Sequence, residues 1–97
     1  MAKYLLSPQA QQSLVQINQY TLDNFGERQK KRYLKMLRER MRTAAKNPEK
    51  GKVRDDIKTG YYCIQVEKHN IYYRIRNSHI EIIDVLHQSM EPKIHIG

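Results

Sequence analysis

The stretch that most constrains the fold runs from Gly60 to His87, GYYCIQVEKHNIYYRIRNSHIEIIDVLH. Three runs rich in β-branched and aromatic residues are divided by short polar breaks at His69-Asn70 and Asn77-Ser78-His79. That pattern predicts a three-stranded antiparallel meander. A two-residue turn at His69-Asn70 sets Val66 across from Tyr73 and Ile64 across from Ile75. Strand side chains alternate, so these four share an apolar face. Cys63, Gln65, Tyr72, Arg74 and Arg76 take the other face. In the last strand Ile83 and Val85 are expected to face the core. Asp84 then lies on the open face within reach of an ion pair with Arg74, or is an ordinary surface residue. A sheet with one apolar face requires a cover.

The first half of the chain has the pattern to supply it. Lys3–Leu6 reads as a short edge strand. Ser7-Pro8 then carries the N-cap and first-turn signals of a helix. Ala10, Leu14, Ile17 and Thr21 recur at helical spacing along a first helix ending near Asn24, and Phe25-Gly26 supplies the stop. Val15 and Leu22 lie on nearly the opposite side, either as scattered surface residues or as a thin seam for a partner helix. A second helix is expected from Glu27 to Ala45. Tyr33, Leu34, Leu37, Met41 and Ala44 line one side. Arg28, Lys31, Arg32, Lys35, Arg38 and Arg42 line the other. The short break between the two helices makes them an antiparallel hairpin. Asn47–Asp56 is a polar, basic loop, and the tail QSMEPKIHIG reads as irregular. The expected fold class is α+β: an N-terminal strand and an antiparallel helical hairpin packed on a three- to four-stranded antiparallel sheet. All 97 residues form one domain.

Charge is segregated along this chain. Glu27–Arg54 holds twelve Lys or Arg against three Glu, net +9, and the remainder holds six against seven, net −1, for +8 in all. Such a region attracts an anionic partner, or is simply a solvated helix face. With Glu39 the one acidic i+4 neighbour along the stripe, its charges repel one another. One cysteine, Cys63, leaves no internal disulfide and suits a reducing cytoplasm. The N-terminal residues lack a signal-peptide pattern, and no apolar run suffices to cross a membrane. The four histidines, His69, His79, His87 and His95, stand at spacings unsuited to a metal site. His69 and His79 fall at expected turns. His87, at the end of the last strand beside the open face, is either a general acid or base or a strand-end hydrogen-bonding residue. There is no P-loop, dinucleotide fingerprint or nucleophile elbow.

Five segments in order carry a family resemblance: YLLSPQA (Tyr4–Ala10), YTLDNFG (Tyr20–Gly26), NPEKGKVRDDIKTGYY (Asn47–Tyr62), HNIYYRI (His69–Ile75) and VLHQSMEPKIH (Val85–His95). Together they resemble the ParE toxins of the RelE/ParE superfamily of bacterial type II toxin–antitoxin systems. No cofactor is expected, and the residues offer no full catalytic set and no metal site. The resemblance implies a ParD-like antitoxin whose C-terminal tail wraps the helices and sheet, and operator DNA reached only through that antitoxin. It also implies DNA gyrase as the target, poisoned so that replication stops. Val15, Leu22, Arg28, Lys31, Arg32, Lys35, Arg38 and Arg42 are the candidate antitoxin contacts. Arg54, Arg74, His87, Met90 and Pro92 are the candidate target contacts. The superfamily's other branch, the RelE-like ribosome-dependent mRNA endonucleases, is the alternative. Its acid–base and cationic set would have here only Arg74, Arg76 and His87, with Asp84 as a partner. Asn70-Ile71 stands where the nucleases carry an arginine, and no Tyr follows His87.

Overall fold

The computed structural model describes residues 3–97. Its elements run β1 (Tyr4–Leu6), α1 (Pro8–Phe25), α2 (Glu27–Lys46), a 3-10 turn (Pro48–Lys50), β2 (Lys52–Val53), β3 (Tyr61–Val66), β4 (His69–Ile75), β5 (Ile80–His87) and α3 (Pro92–Ile96). The helix boundaries follow from capping. The Ser7 hydroxyl accepts the Ala10 N–H at 3.0 Å, and Pro8 opens α1. Gly26, at φ +91°, closes α1 through its N–H on the Leu22 carbonyl at 3.0 Å and is the sole link to α2. An L-side chain resists that left-handed φ, which is why glycine stands there.

The strand order is β1-β5-β4-β3-β2. The expected meander is its centre. The sheet is larger than the expected three or four antiparallel strands, and mixed. β1 pairs parallel to β5, and the two-residue β2 adds antiparallel to β3. The hairpin packs over one face. Ala10, Leu14, Tyr33, Leu37, Met41, Ala44 and Ala45 bury against Val66, Ile71, Tyr73, Ile80, Ile82 and Val85.

Four sequence expectations are corrected. The β3–β4 turn is Glu67-Lys68, not His69-Asn70. Val66 pairs with His69, Ile64 with Ile71 and Tyr62 with Tyr73. Glu67 takes the positive φ (51°) that a two-residue turn demands. The turn moves by two residues and each cross-strand partner by four, both even numbers, so the assignment of side chains to faces survives. Secondly, a bulge sets Tyr72 opposite Asp84 and Tyr73 opposite Ile82, leaving Ile83 as the extra residue. Ile83 therefore packs with the opposite face's cluster, while Ile82 and Val85 take the helix face. Thirdly, Asp84 does not reach Arg74. It is 1% exposed and accepts from the Ser13 hydroxyl, the Gln9 amide at 2.7 Å and the Val85 N–H at 2.8 Å. Finally, the tail is not irregular. Glu91 caps the short α3, whose Ile96 plugs a second cluster with Tyr61, Cys63, Tyr72 and Leu86. The sheet's second face is thus largely closed.

Candidate functional site

Where the C-terminal half of α1, the start of α2, the β3–β4 turn and the end of β5 converge, they leave a groove of about 480 Å³. One side of α1 supplies Ser13, Gln16, Ile17, Tyr20 and Thr21, spaced three and four apart as one helical face requires. Tyr20 and Phe25 stand at its rim 64% and 65% exposed, and Met90 adds a third exposed apolar group. Large apolar side chains left together in water around a concavity mark an interaction site.

The floor carries the groove's polar groups. Val66↔His69 and His69↔His87 are successive cross-strand pairs, so β3 and β5 both flank His69. The His69 and His87 rings meet edge to face at 5.5 Å. His69 Nδ1 lies 2.6 Å from the Tyr33 hydroxyl, which is also 3.2 Å from the Val66 carbonyl. Burial, seconded by the neighbouring His87, pushes His69 down to about 4. Burial, seconded by Glu67, pushes Tyr33 up. Both groups are therefore neutral near pH 7. His87 Nδ1 faces the Ser89 hydroxyl at 2.8 Å and accepts the Ser89 N–H at 3.1 Å. His69 is the residue that sequence reasoning missed. A polar His-Asn pair reads as a turn, and no local signal places His69 in a strand opposite His87.

A pH dependence follows from His69. Its pKa is lower in the folded chain than the ~6.5 of a free imidazole. Between those values the unfolded chain binds the additional proton, so stability is fully present above pH 6.5 and is lost as pH falls toward 4. The shift sets a ceiling of roughly 2–3 kcal/mol after allowance for partial exposure. Denaturant titrations from pH 4 to 7 should show this slope, and His69→Gln, which keeps a partner for Tyr33, should flatten it. A ring titration of His69 centred near 6.5 would contradict the assignment.

The basic stripe of α2 begins beside the groove, where Gln29 and Tyr33 are lining residues. Arg28, Lys31, Arg32, Lys35, Arg38 and Arg42 are all exposed, as the helical wheel requires. Carboxylates reach only its first half. Glu27 lies 3.3 Å from Lys30 and 3.9 Å from Lys31, Glu67 is 3.7 Å from Arg32, and Glu39 is 4.0 Å from Lys35. Of the two apolar candidates, Val15 is 66% exposed and Leu22 is half-buried, and neither lines the groove.

The candidate target contacts do not form one cluster. On the second face the Arg54 guanidinium lies 5.9 Å from the centre of the Tyr72 ring, and that of Arg74 lies 5.8 Å from the centre of Tyr61. Arg54 is clamped in two 3.0 Å hydrogen bonds by Asp56, which raises Arg54 and lowers Asp56. Pro92 is buried, at the start of α3. His87 and Met90 belong instead to the groove on the helix side. Arg76 is held by Glu81 at 3.0 Å. Of Arg74, Arg76, Asp84 and His87, grouped by sequence reasoning on one open face, Arg74 and Arg76 stay together around Glu81, while Asp84 and His87 lie in surroundings of their own. Among the described residues no three His, Cys, Asp or Glu side chains gather as a metal-ligand set, and no helix is long and apolar enough to cross a membrane.

Comparison with known proteins agrees with this architecture. The chain is 37% identical over 91 residues to Toxin ParE1 of Mycobacterium tuberculosis (strain ATCC 25618 / H37Rv), covering 93% of each. It is 32% identical over 97 residues to Toxin ParE1 of Caulobacter vibrioides, covering 100% of each. Its fold superimposes with a TM-score of 0.77 on a chain of a solved structure described as the chromosomal ParDE TA system from P. aeruginosa. That match covers 90% of this chain and 96% of the other at 15% identity. Residues 4–92 match the model of the family described as "ParE toxin of type II toxin-antitoxin system, parDE", and the chain belongs to that family.

Proposed function

We propose that this toxin acts by binding rather than by catalysis: it engages DNA gyrase, stalls replication, and is silenced in the cytoplasm by a ParD-like antitoxin. The observation that carries this reading is the groove. Its apolar walls and exposed rim of Tyr20, Phe25 and Met90 suit a docked segment, and the first half of the basic stripe beside it suits that segment's acidic residues. An amphipathic antitoxin tail has both properties, so Arg28, Lys31, Arg32 and Lys35 are assigned to it together with the groove. Arg54 and Arg74, on the second face, remain the gyrase candidates, a surface the groove's occupant leaves uncovered, while buried Pro92 contributes by starting α3 beside them. His87 and Met90 move to the antitoxin side of this assignment.

The purified chain is expected to inhibit gyrase supercoiling and to leave cleaved DNA, with activity restored by its antitoxin. No effect at large molar excess overturns the gyrase reading. The mRNA endonuclease alternative has one observation in its favour, the His69–His87 pair across neighbouring strands. New RNA ends after induction, lost in His87→Ala, would establish it instead.

A further inference from the structure

The basic face of α2 is two surfaces. In the first half, Lys30, Lys31, Arg32 and Lys35 each have a carboxylate within 4.0 Å, and only Arg28 among the described cations there has none. In the second half, Arg38, Arg42 and Lys46 have none among the described residues, and neither does Lys50 in the turn that follows. All four are exposed. Glu39 and Glu49 are the acidic residues of this stretch, and Glu39 is already engaged with Lys35.

We propose that this uncompensated ladder, Arg38, Arg42, Lys46 and Lys50, binds the phosphate backbone of duplex DNA directly and without sequence preference. Arg38, Arg42 and Lys46 recur every four residues, so they rise by ~6 Å per step along one side of the helix. Successive phosphates of one DNA strand are separated by a comparable distance, since each ~3.4 Å rise along the duplex axis is accompanied by a turn about it, so neighbouring cations of the ladder can reach neighbouring phosphates. Arginine suits phosphate through its paired N–H donors. A protein partner is disfavoured here because an interface needs an apolar centre. None of the large exposed apolar side chains lies between Arg28 and Asn47, whereas Tyr20, Phe25 and Met90 crowd the groove at the other end. Contact of this kind is distinct from operator recognition, which reads base edges. It would hold the toxin on DNA at the place where a DNA-bound target works, and it does not depend on which target that is.

The test is fluorescence anisotropy of a labelled mixed-sequence 25-base-pair duplex, ~25 being chosen to exceed the length of α2, titrated with the full chain between 50 and 200 mM salt, a range over which counterion release is readily measured. Affinity should fall with salt with a log–log slope near −3 to −4, about 0.9 per phosphate contact. Arg38→Ala/Arg42→Ala/Lys46→Ala should weaken binding at least about tenfold and flatten the slope by roughly 2–3. Lys31→Ala/Arg32→Ala/Lys35→Ala, the same loss of charge, should change affinity less than about threefold, because Glu27, Glu39 and Glu67 nearby repel a phosphate from that half. Equal losses in the two triple variants would reduce the effect to net charge and overturn the proposal. So would absence of binding at 50 mM salt, or polyglutamate competing as well as DNA per unit charge. Circular dichroism of each variant checks that these exposed changes leave the fold intact. Gyrase inhibition is measured separately, so either reading can fail alone.

Discussion

Asp84→Ala should remove about 3 kcal/mol of stability, a large share of what a domain this size has to lose. The carboxylate is 1% exposed, and three donors converge on it: the Ser13 hydroxyl, the Gln9 amide and the Val85 N–H. Alanine deprives the Ser13 hydroxyl and the Val85 N–H of this acceptor and leaves exposed Gln9 with the His95 carbonyl at 3.3 Å. Two of the donors belong to α1 and the third to β5, so the change loosens the joint between the first helix and the last strand. Asparagine keeps one oxygen but turns an N–H₂ group toward donors, and should cost about 1–2 kcal/mol. Urea unfolding of the three proteins gives the order directly. An Asp84→Ala loss under about 0.5 kcal/mol would mean the donors find water instead.

Gly51→Ala should be comparably damaging, although Gly51 is only partly buried and its backbone is ordinary extended chain. A Cβ there would collide with the Tyr73 hydroxyl and stand 3.0 Å from the ring carbon that carries it. Tyr73 cannot step aside. It is fully buried in the core, stacked on Tyr62 at 5.5 Å, and its hydroxyl donates to the Pro48 carbonyl at 2.7 Å. Burial also pushes it up to about 12, so it stays a neutral donor. Overpacking plus the lost hydrogen bond amounts to about 2–4 kcal/mol, or at least about 10 °C in Tm. Tyr73→Phe deletes the atom struck first. The double variant Gly51→Ala/Tyr73→Phe should therefore be more stable than the two single losses added together. Simple additivity would show that the collision is relieved by loop movement.

These two residues also show where sequence reading stops. Helix limits were legible because Ser7-Pro8 and Gly26 act locally, through one hydroxyl and one backbone angle. The buried stripes of both helices and the faces of β3 and β4 were legible because each depends only on periodicity. Asp84 was misread because the extra residue at Ile83 has no local signature in IEIIDVLH; with two adjacent isoleucines, either can face the core. Gly51 looked like an ordinary loop breaker, its reason lying in a side chain twenty-two positions away. The same limit hid the groove. Tyr20, Phe25, His69 and Met90 lie on α1, the end of α1, β4 and the final turn, and only tertiary structure gathers them. The charge of α2 was plain in sequence, as were its local partners Glu27 and Glu39, but not Glu67, which answers Arg32 from the β3–β4 turn.

The parallel pairing of β1 with β5 has a consequence for synthesis. Tyr4–Leu6 leaves the ribosome ahead of every other strand, yet its partners are Ile80–Ile82. Ser7 likewise waits for the carbonyls of Ile82 and Ile83. A nascent chain that stalls before Ile80 can form the hairpin but cannot close the sheet against it. The sheet of this domain therefore closes only after Ile82 has been made, however early the helical hairpin forms.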